Sequence, residues 1–333
     1  MVPMNVSLRP RRRPRARRTL AALSTVALGL TGLSLTACSA DSTDDDAAGD
    51  TLSVAASFYP IQYLAEAIGG DNVTVTSITP TNVEPHDYEL APKDVTALSS
   101  TDLVAYVPGF QPSLDDALAE VAGPTVVDLS EAVDLVPHDG VEHDDEADDA
   151  HESTQADDGA DAATTDPHFW LDPVRMRSAA QAIETALAQA DPDHAADFEA
   201  NLAALTETLD GLDNDYSTGL AQCERSTFVT SHAAFGYLAE RYGLTQASVS
   251  GIDPESEPSP AELATVKQVV QETGTTTIFT EELVSPKTAE ALAAETGATT
   301  AVLNPLESAP ESGDYADAMS ANLQALRTAL ACE

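Results

Sequence analysis

The stretch that most restricts the fold lies at 194–220, where Phe198, Leu202, Leu205, Leu209 and Leu212 recur at steps of three and four. That spacing stacks apolar side chains on one face of an α-helix, and Gly211 lowers the helical tendency in its middle. At the standard rise the helix reaches on the order of 40 Å, enough to run along two packed units. The pattern on its two sides is alike. Before it, short apolar runs at 51–57, 73–78, 102–107 and 125–129 alternate with helical spacing at 59–68, 92–99 and 112–121. After it, apolar runs at 227–231, 246–250, 276–280 and 299–303 alternate with helical spacing at 233–242, 260–272, 286–296 and 315–331. A further helix is expected at 173–189, with Asp172 as its N-cap and Pro173 in its first position. Strands alternating with helices build parallel sheets covered on both faces. The expected class is α/β, with two lobes, each a mainly parallel four-stranded sheet with flanking helices, joined by a long rigid helix.

The N-terminus reads as a processing signal. Arg9, Arg11, Arg12, Arg13, Arg15, Arg17 and Arg18 precede an apolar run from about 20 to 37 that ends in Leu35-Thr36-Ala37-Cys38. Small residues just before a cysteine resemble the bacterial lipobox. The expectation is a lipoprotein signal peptide at 1–37, lipidation of Cys38, and a polar tether at 38–50. The protein is then lipid-anchored on the extracytoplasmic face of the cell membrane. The first lobe is expected at 51–172, connecting helices at 173–222 and the second lobe at 223–333. Two other cysteines remain, Cys223 and Cys332. In an oxidising exterior they are expected to pair, fastening the last helix to the segment that enters the strand at 227–231.

Charge narrows the partners. The chain carries 56 acidic and 15 basic residues, a formal net charge of −41, which repels phosphate backbones and attracts cations. Nucleic acid is excluded as a partner, and a monomer is expected. Residues 137–166 form an acidic stretch that holds His138, His143 and His151 and no Lys or Arg. A purely solubilising tract has that composition too. The histidines favour a flexible accessory loop that binds metal weakly and concentrates it near a tighter site.

In open parallel sheets ligands sit beyond the carboxyl ends of the strands. That rule selects His86, His232, Glu281, Glu282, Asn304 and Glu307, while His168 stands just before the helix at 173–189. His194 begins the long helix and reads as solvent-facing. One histidine after a strand is ordinarily a turn residue, but three on the ligand-facing side point to a shared site. Neutral imidazoles suit Zn(II), often with an oxygen in fourth place, whereas Mn(II) favours more carboxylates. Phe169, Trp170 and Tyr237 read as packing around the ligand loops.

Three motifs carry a family resemblance: Glu84-Pro85-His86-Asp87-Tyr88-Glu89, Asp166-Pro167-His168-Phe169-Trp170-Leu171-Asp172-Pro173, and Thr230-Ser231-His232-Ala233-Ala234-Phe235-Gly236-Tyr237. Their order and spacing resemble those of the zinc-uptake ABC-transporter solute-binding proteins, over about 51–332 and including a His/acidic insertion before the second motif. The resemblance implies His86, His168 and His232 as metal ligands, Zn(II) as transported ligand, an ABC permease as partner, and no catalysis. It also implies an Asp after the last strand, in a Leu-Asp-Pro-Leu stretch. Here that stretch is Leu303-Asn304-Pro305-Leu306-Glu307, so Glu307, Asn304, Glu281 and water all remain candidates for the fourth ligand. Two readings from other classes are a zinc hydrolase with Glu281 or Glu282 as general base, and a surface adhesin.

Overall fold

The structure is a computed structural model that describes residues 51–137 and 165–333. The signal, Cys38, the tether and the three tract histidines His138, His143 and His151 lie outside the described residues.

The first half runs β1 (Leu52–Ala56), α1 (Tyr59–Gly69), β2 (Val73–Ser77), α2 (Pro92–Leu98), β3 (Leu103–Tyr106), α3 (Pro112–Glu120), β4 (Thr125–Asp128) and a single turn, α4 (Ser130–Val133). Next come α5 (Pro173–Ala190) and the long α6 (Ala195–Gly219). The second half runs β5 (Thr227–Thr230), α7 (Gly236–Tyr242), β6 (Thr245–Ser248), α8 (Pro260–Thr273), β7 (Thr277–Thr280), α9 (Lys287–Thr296), β8 (Thr299–Val302) and α10 (Tyr315–Leu330). Each half forms a four-stranded sheet with every pair parallel, in the orders β2-β1-β3-β4 and β6-β5-β7-β8. Strand order reverses between β1 and β3, and again between β5 and β7. Crevices at such reversals are where α/β sheets hold ligands.

Local chemistry accounts for the helix starts. Asp172 accepts the N–H of Val174 at the head of α5, ahead of Pro173. Ser259 with Glu262 and Asp314 with Asp317 form capping boxes on α8 and α10. The expected helix at 233–242 starts only at Gly236. The residues before it form a loop that carries His232, with the Ala233 N–H bound to the Gly251 carbonyl. The turn α4 and the 3-10 turn Phe169–Leu171 are too short for any periodicity to announce.

The long helix is part of the core rather than a strut between two cores. Phe198, Leu205, Leu209, Leu212 and Tyr216 of α6 are buried, and one apolar cluster runs through them from Phe58 and Ile61 to Phe228, Leu323 and Leu326. Tyr216 donates its hydroxyl to the Met319 carbonyl, tying α6 to α10. Hinge motion of one sheet against the other has to disrupt this shared packing. Among the described residues no helix is long and apolar enough to cross a membrane.

Cys223 and Cys332 are bonded across a sequence separation of 109. Beside them the N–H groups of Glu224 and Arg225 donate to the carbonyls of Ala331 and Leu330. Closing so long a loop restricts the unfolded chain, so Cys223→Ser with Cys332→Ser is expected to cost about 2–5 kcal/mol. Thermal unfolding should register a lower Tm, with zinc stoichiometry unchanged because Cys223 precedes β5 whereas His232 follows its opposite end.

Candidate metal centre

His168 reaches its place through a compact turn. Asp166 Oδ1 accepts both the main-chain N–H of His168 at 2.9 Å and its Nδ1 at 2.8 Å. The next three residues, Phe169, Trp170 and Leu171, are buried to the last atom. Second-half residues hold this first-half segment: Trp170 donates Nε1–H to the Pro305 carbonyl, Tyr315 donates to the Trp170 carbonyl, and Tyr237 donates to the Asp166 carbonyl. Arg241 pairs with Asp172 at the end of the same segment. His232 follows β5, and Glu281, following β7, holds it in the same two-point way. Glu281 Oε1 accepts the His232 N–H at 3.1 Å and Oε2 takes Nδ1 at 2.7 Å. His86 sits in the loop after β2, where Glu84 accepts the N–H groups of His86 and Asp87.

The three rings and Glu307 converge. Glu307 Oε1 lies 3.5 Å from His86 Nε2, 3.4 Å from His168 Nε2 and 3.4 Å from His232 Nε2. The His168 and His232 Nε2 atoms are 3.3 Å apart, and all four donor atoms lie within 4.8 Å of one another. A tetrahedron with vertices about 2.0–2.1 Å from its centre, the usual Zn–N and Zn–O length, has edges of about 3.3–3.4 Å. These four separations of 3.3–3.5 Å therefore describe a zinc-sized hollow. Its walls are dry: His168, His232 and Glu307 are buried, and His86 nearly so. His86 Nε2 and Glu307 Oε1 make no hydrogen bond to the protein. Two buried atoms with spare lone pairs facing one point are what a cation site requires.

Electrostatics sorts the rings. Burial opposes charge on His168, but its hydrogen bond to Asp166 and the Glu307 carboxylate 3.4 Å away prevail and its pKa is raised. Burial also opposes protonation of His232, yet the adjoining Glu281 carboxylate pushes it up to about 10. His86 is lowered, by burial first, because it lacks a carboxylate on Nδ1. Burial favours a neutral Glu307, and the three imidazoles overcome it, holding the carboxyl well below its usual range. A carboxylate on Nδ1 keeps the proton there and leaves the Nε2 lone pair for a metal. Three imidazoles and one carboxylate suit Zn(II) and poorly satisfy the oxygen-rich octahedron of Mg(II) or Mn(II).

The other sequence candidates lie around this centre rather than in it. Glu281 is committed to His232. Asn304 donates to Glu282 and accepts the Leu306 N–H at 2.7 Å, while Asn322 bonds both the N–H and the carbonyl of Asn304. These bonds fold the turn, Leu306 takes φ 60°, and Glu307 swings inward. Leu306 pays for that conformation, since a branched apolar side chain disfavours the left-handed region. An Asn-Pro pair after a strand signals such a turn. His194 pairs with Asp191 outside the core, and Phe169, Trp170 and Tyr237 pack around the ligand loops. Asp166 was not among the sequence candidates; its signal was the acid two residues before a histidine.

Residues 54–329 match the family described as zinc-uptake complex component A, periplasmic. The high-affinity zinc uptake system protein ZnuA of Bacillus subtilis is 35% identical over 294 residues, 86% of this chain and 89% of that protein. The zinc-binding lipoprotein AdcA of Streptococcus pneumoniae is 35% identical over 285 residues, 83% of this chain and 55% of AdcA. The chain thus spans about half the length of its AdcA relatives. A crystal structure of ZnuA superimposes with a TM-score of 0.71 at 30% identity, covering 84% of this chain and 99% of the other.

Proposed function

This chain belongs to the family of periplasmic zinc-uptake components, and we propose that it captures Zn(II) outside the cytoplasm and hands it to the permease of an ABC importer. The observation that carries this reading is the meeting of three imidazole Nε2 atoms and one carboxylate oxygen at 3.3–3.5 Å. His86, His168, His232 and Glu307 are the proposed ligands. Four protein donors close a tetrahedral shell and leave no position for a reacting water, which favours a carrier over a hydrolase. Monomeric action and lipid attachment at Cys38 complete the proposal; the lipoprotein name of the AdcA relative supports the second. His138, His143 and His151 are proposed as weak accessory groups.

A permease that engages both halves releases the ion by favouring a state in which the donors are parted. The shared core favours motion of the ligand loops over wholesale hinge opening. Elemental analysis and a zinc titration test the reading. One tightly held zinc per chain is expected, with or without residues 138–164, together with a higher Tm when zinc is added. Absence of a tight site in the intact protein overturns the proposal.

A further inference from the structure

We propose that Gln111 is a positioning residue for His86, holding the ligand loop by its main chain; this rests on the zinc reading above. Gln111 ends the loop after β3 and occupies the N-cap position of α3, yet its side chain makes no capping bond. That position ordinarily supplies the helix with an acceptor. Here the side chain turns inward, is 1% exposed, and donates Nε2–H to Thr79 Oγ1 at 2.7 Å and to the Pro85 carbonyl at 3.1 Å. Thr79 in turn donates to the Ser57 carbonyl at 2.9 Å. A continuous relay therefore runs from the end of β1, through Thr79 and Gln111, to the peptide group joining Pro85 to His86.

The neighbours of Gln111 act on the same loop. Phe110 sets its ring edge-on to His86 with centroids 4.5 Å apart. Ser113 Oγ accepts the Leu90 N–H at 2.9 Å. Three residues from one turn thus contact the loop before, at and after the ligand.

His86 needs this support more than its partners do. His168 and His232 each have a carboxylate that binds both main chain and Nδ1, so their rings are fixed directly. Glu84 reaches the His86 N–H but spends its other oxygen on Asp87, leaving the His86 ring to be aimed by its backbone and by Phe110. The arrangement has a cost: Gln111 Oε1 and Ser57 Oγ are buried without a hydrogen-bond partner. A half-satisfied buried amide is a poor device for stability alone. Local rules broken at an uncapped helix and an orphaned amide are the mark of a functional constraint.

The test compares wild type with Gln111→Met and Gln111→Leu, each alone and combined with His86→Ala, using zinc competition against a chelator. Both Gln111 variants are expected to weaken zinc by about 10–100-fold, the usual effect of losing an outer-shell partner. In the His86→Ala background the same changes are expected to cost little more, because no ring remains to be aimed. The visible spectrum of the Co(II)-loaded Gln111 variants should shift toward that of Co(II)-loaded His86→Ala. Additive losses, as a filler of the core gives, overturn the inference. So does unchanged affinity in both Gln111 variants when His86→Ala weakens binding. Unchanged affinity in His86→Ala itself instead overturns the reading of the site.

Discussion

Glu307→Ala is expected to lower zinc affinity by more than about 100-fold, beyond the ~10–100-fold that outer-shell changes typically cost. Its Oε1 is within 3.5 Å of all three Nε2 atoms and is the one anionic donor among them. Three imidazoles and a water still bind zinc, so the variant should retain a weakened site rather than none. The informative companion is Asn304→Asp, which installs the acid that the family pattern leads one to expect. If Asn304 occupied the ligand position, that change would strengthen binding and rescue Glu307→Ala. Asn304 instead shapes the turn by accepting the Leu306 N–H and donating to Glu282. An Asp there keeps the acceptor, loses the donor and faces a like charge, so neither strengthening nor rescue is expected. Chelator competition on the two single variants and the double variant decides the matter. Rescue by Asn304→Asp would move the fourth ligand from 307 to 304.

Much of this architecture is legible in the chain because it rests on repetition. The period-3.6 spacing of Phe198, Leu205, Leu209 and Leu212 does mark the buried face of α6, and alternating apolar runs do become two parallel sheets. The carboxyl-end rule brings His86 and His232 to one region with Glu307 for the same reason: it follows from strand direction alone, whereas His168 comes from the turn before α5. It does not say which side chain turns inward. Asn304 lies nearer the end of β8, but the left-handed Leu306 redirects the chain so that Glu307 arrives instead. Gln111 is less visible still, since an isolated glutamine at a helix start carries no spacing signal; its role depends on Thr79 and Pro85, 32 and 26 residues away. The shared core is hidden for a related reason. Amphipathic periodicity reports that α6 buries one face, while α1, α5 and α10 as its partners emerge only once both sheets are folded.

Falling pH is expected to expel zinc, by about 10–100-fold in affinity per pH unit around neutrality, because binding must displace one to two protons. The metal-free site holds those protons on His232, pushed up to about 10, and on His168, also raised. His86 is lowered and contributes none until acid conditions, and Glu307 stays ionised throughout. Stability of the metal-free protein runs the opposite way. A histidine whose folded pKa lies above its unfolded value near 6.5 adds stability that is complete below that value. For His232 this contribution disappears as pH rises through the window from about 6.5 to about 10. Zinc gains affinity over the same window as the protons it must displace become easier to remove. The difference in Tm between zinc-loaded and metal-free protein should therefore widen from pH 6 toward pH 8, whatever the remaining acidic surface does to both forms alike. Proton release measured calorimetrically in buffers of different ionisation enthalpy should give more than one proton per zinc at pH 7. A Tm difference that stays constant or shrinks with rising pH, or zinc uptake without proton release, would show that the imidazoles of His168 and His232 do not carry the protons zinc displaces.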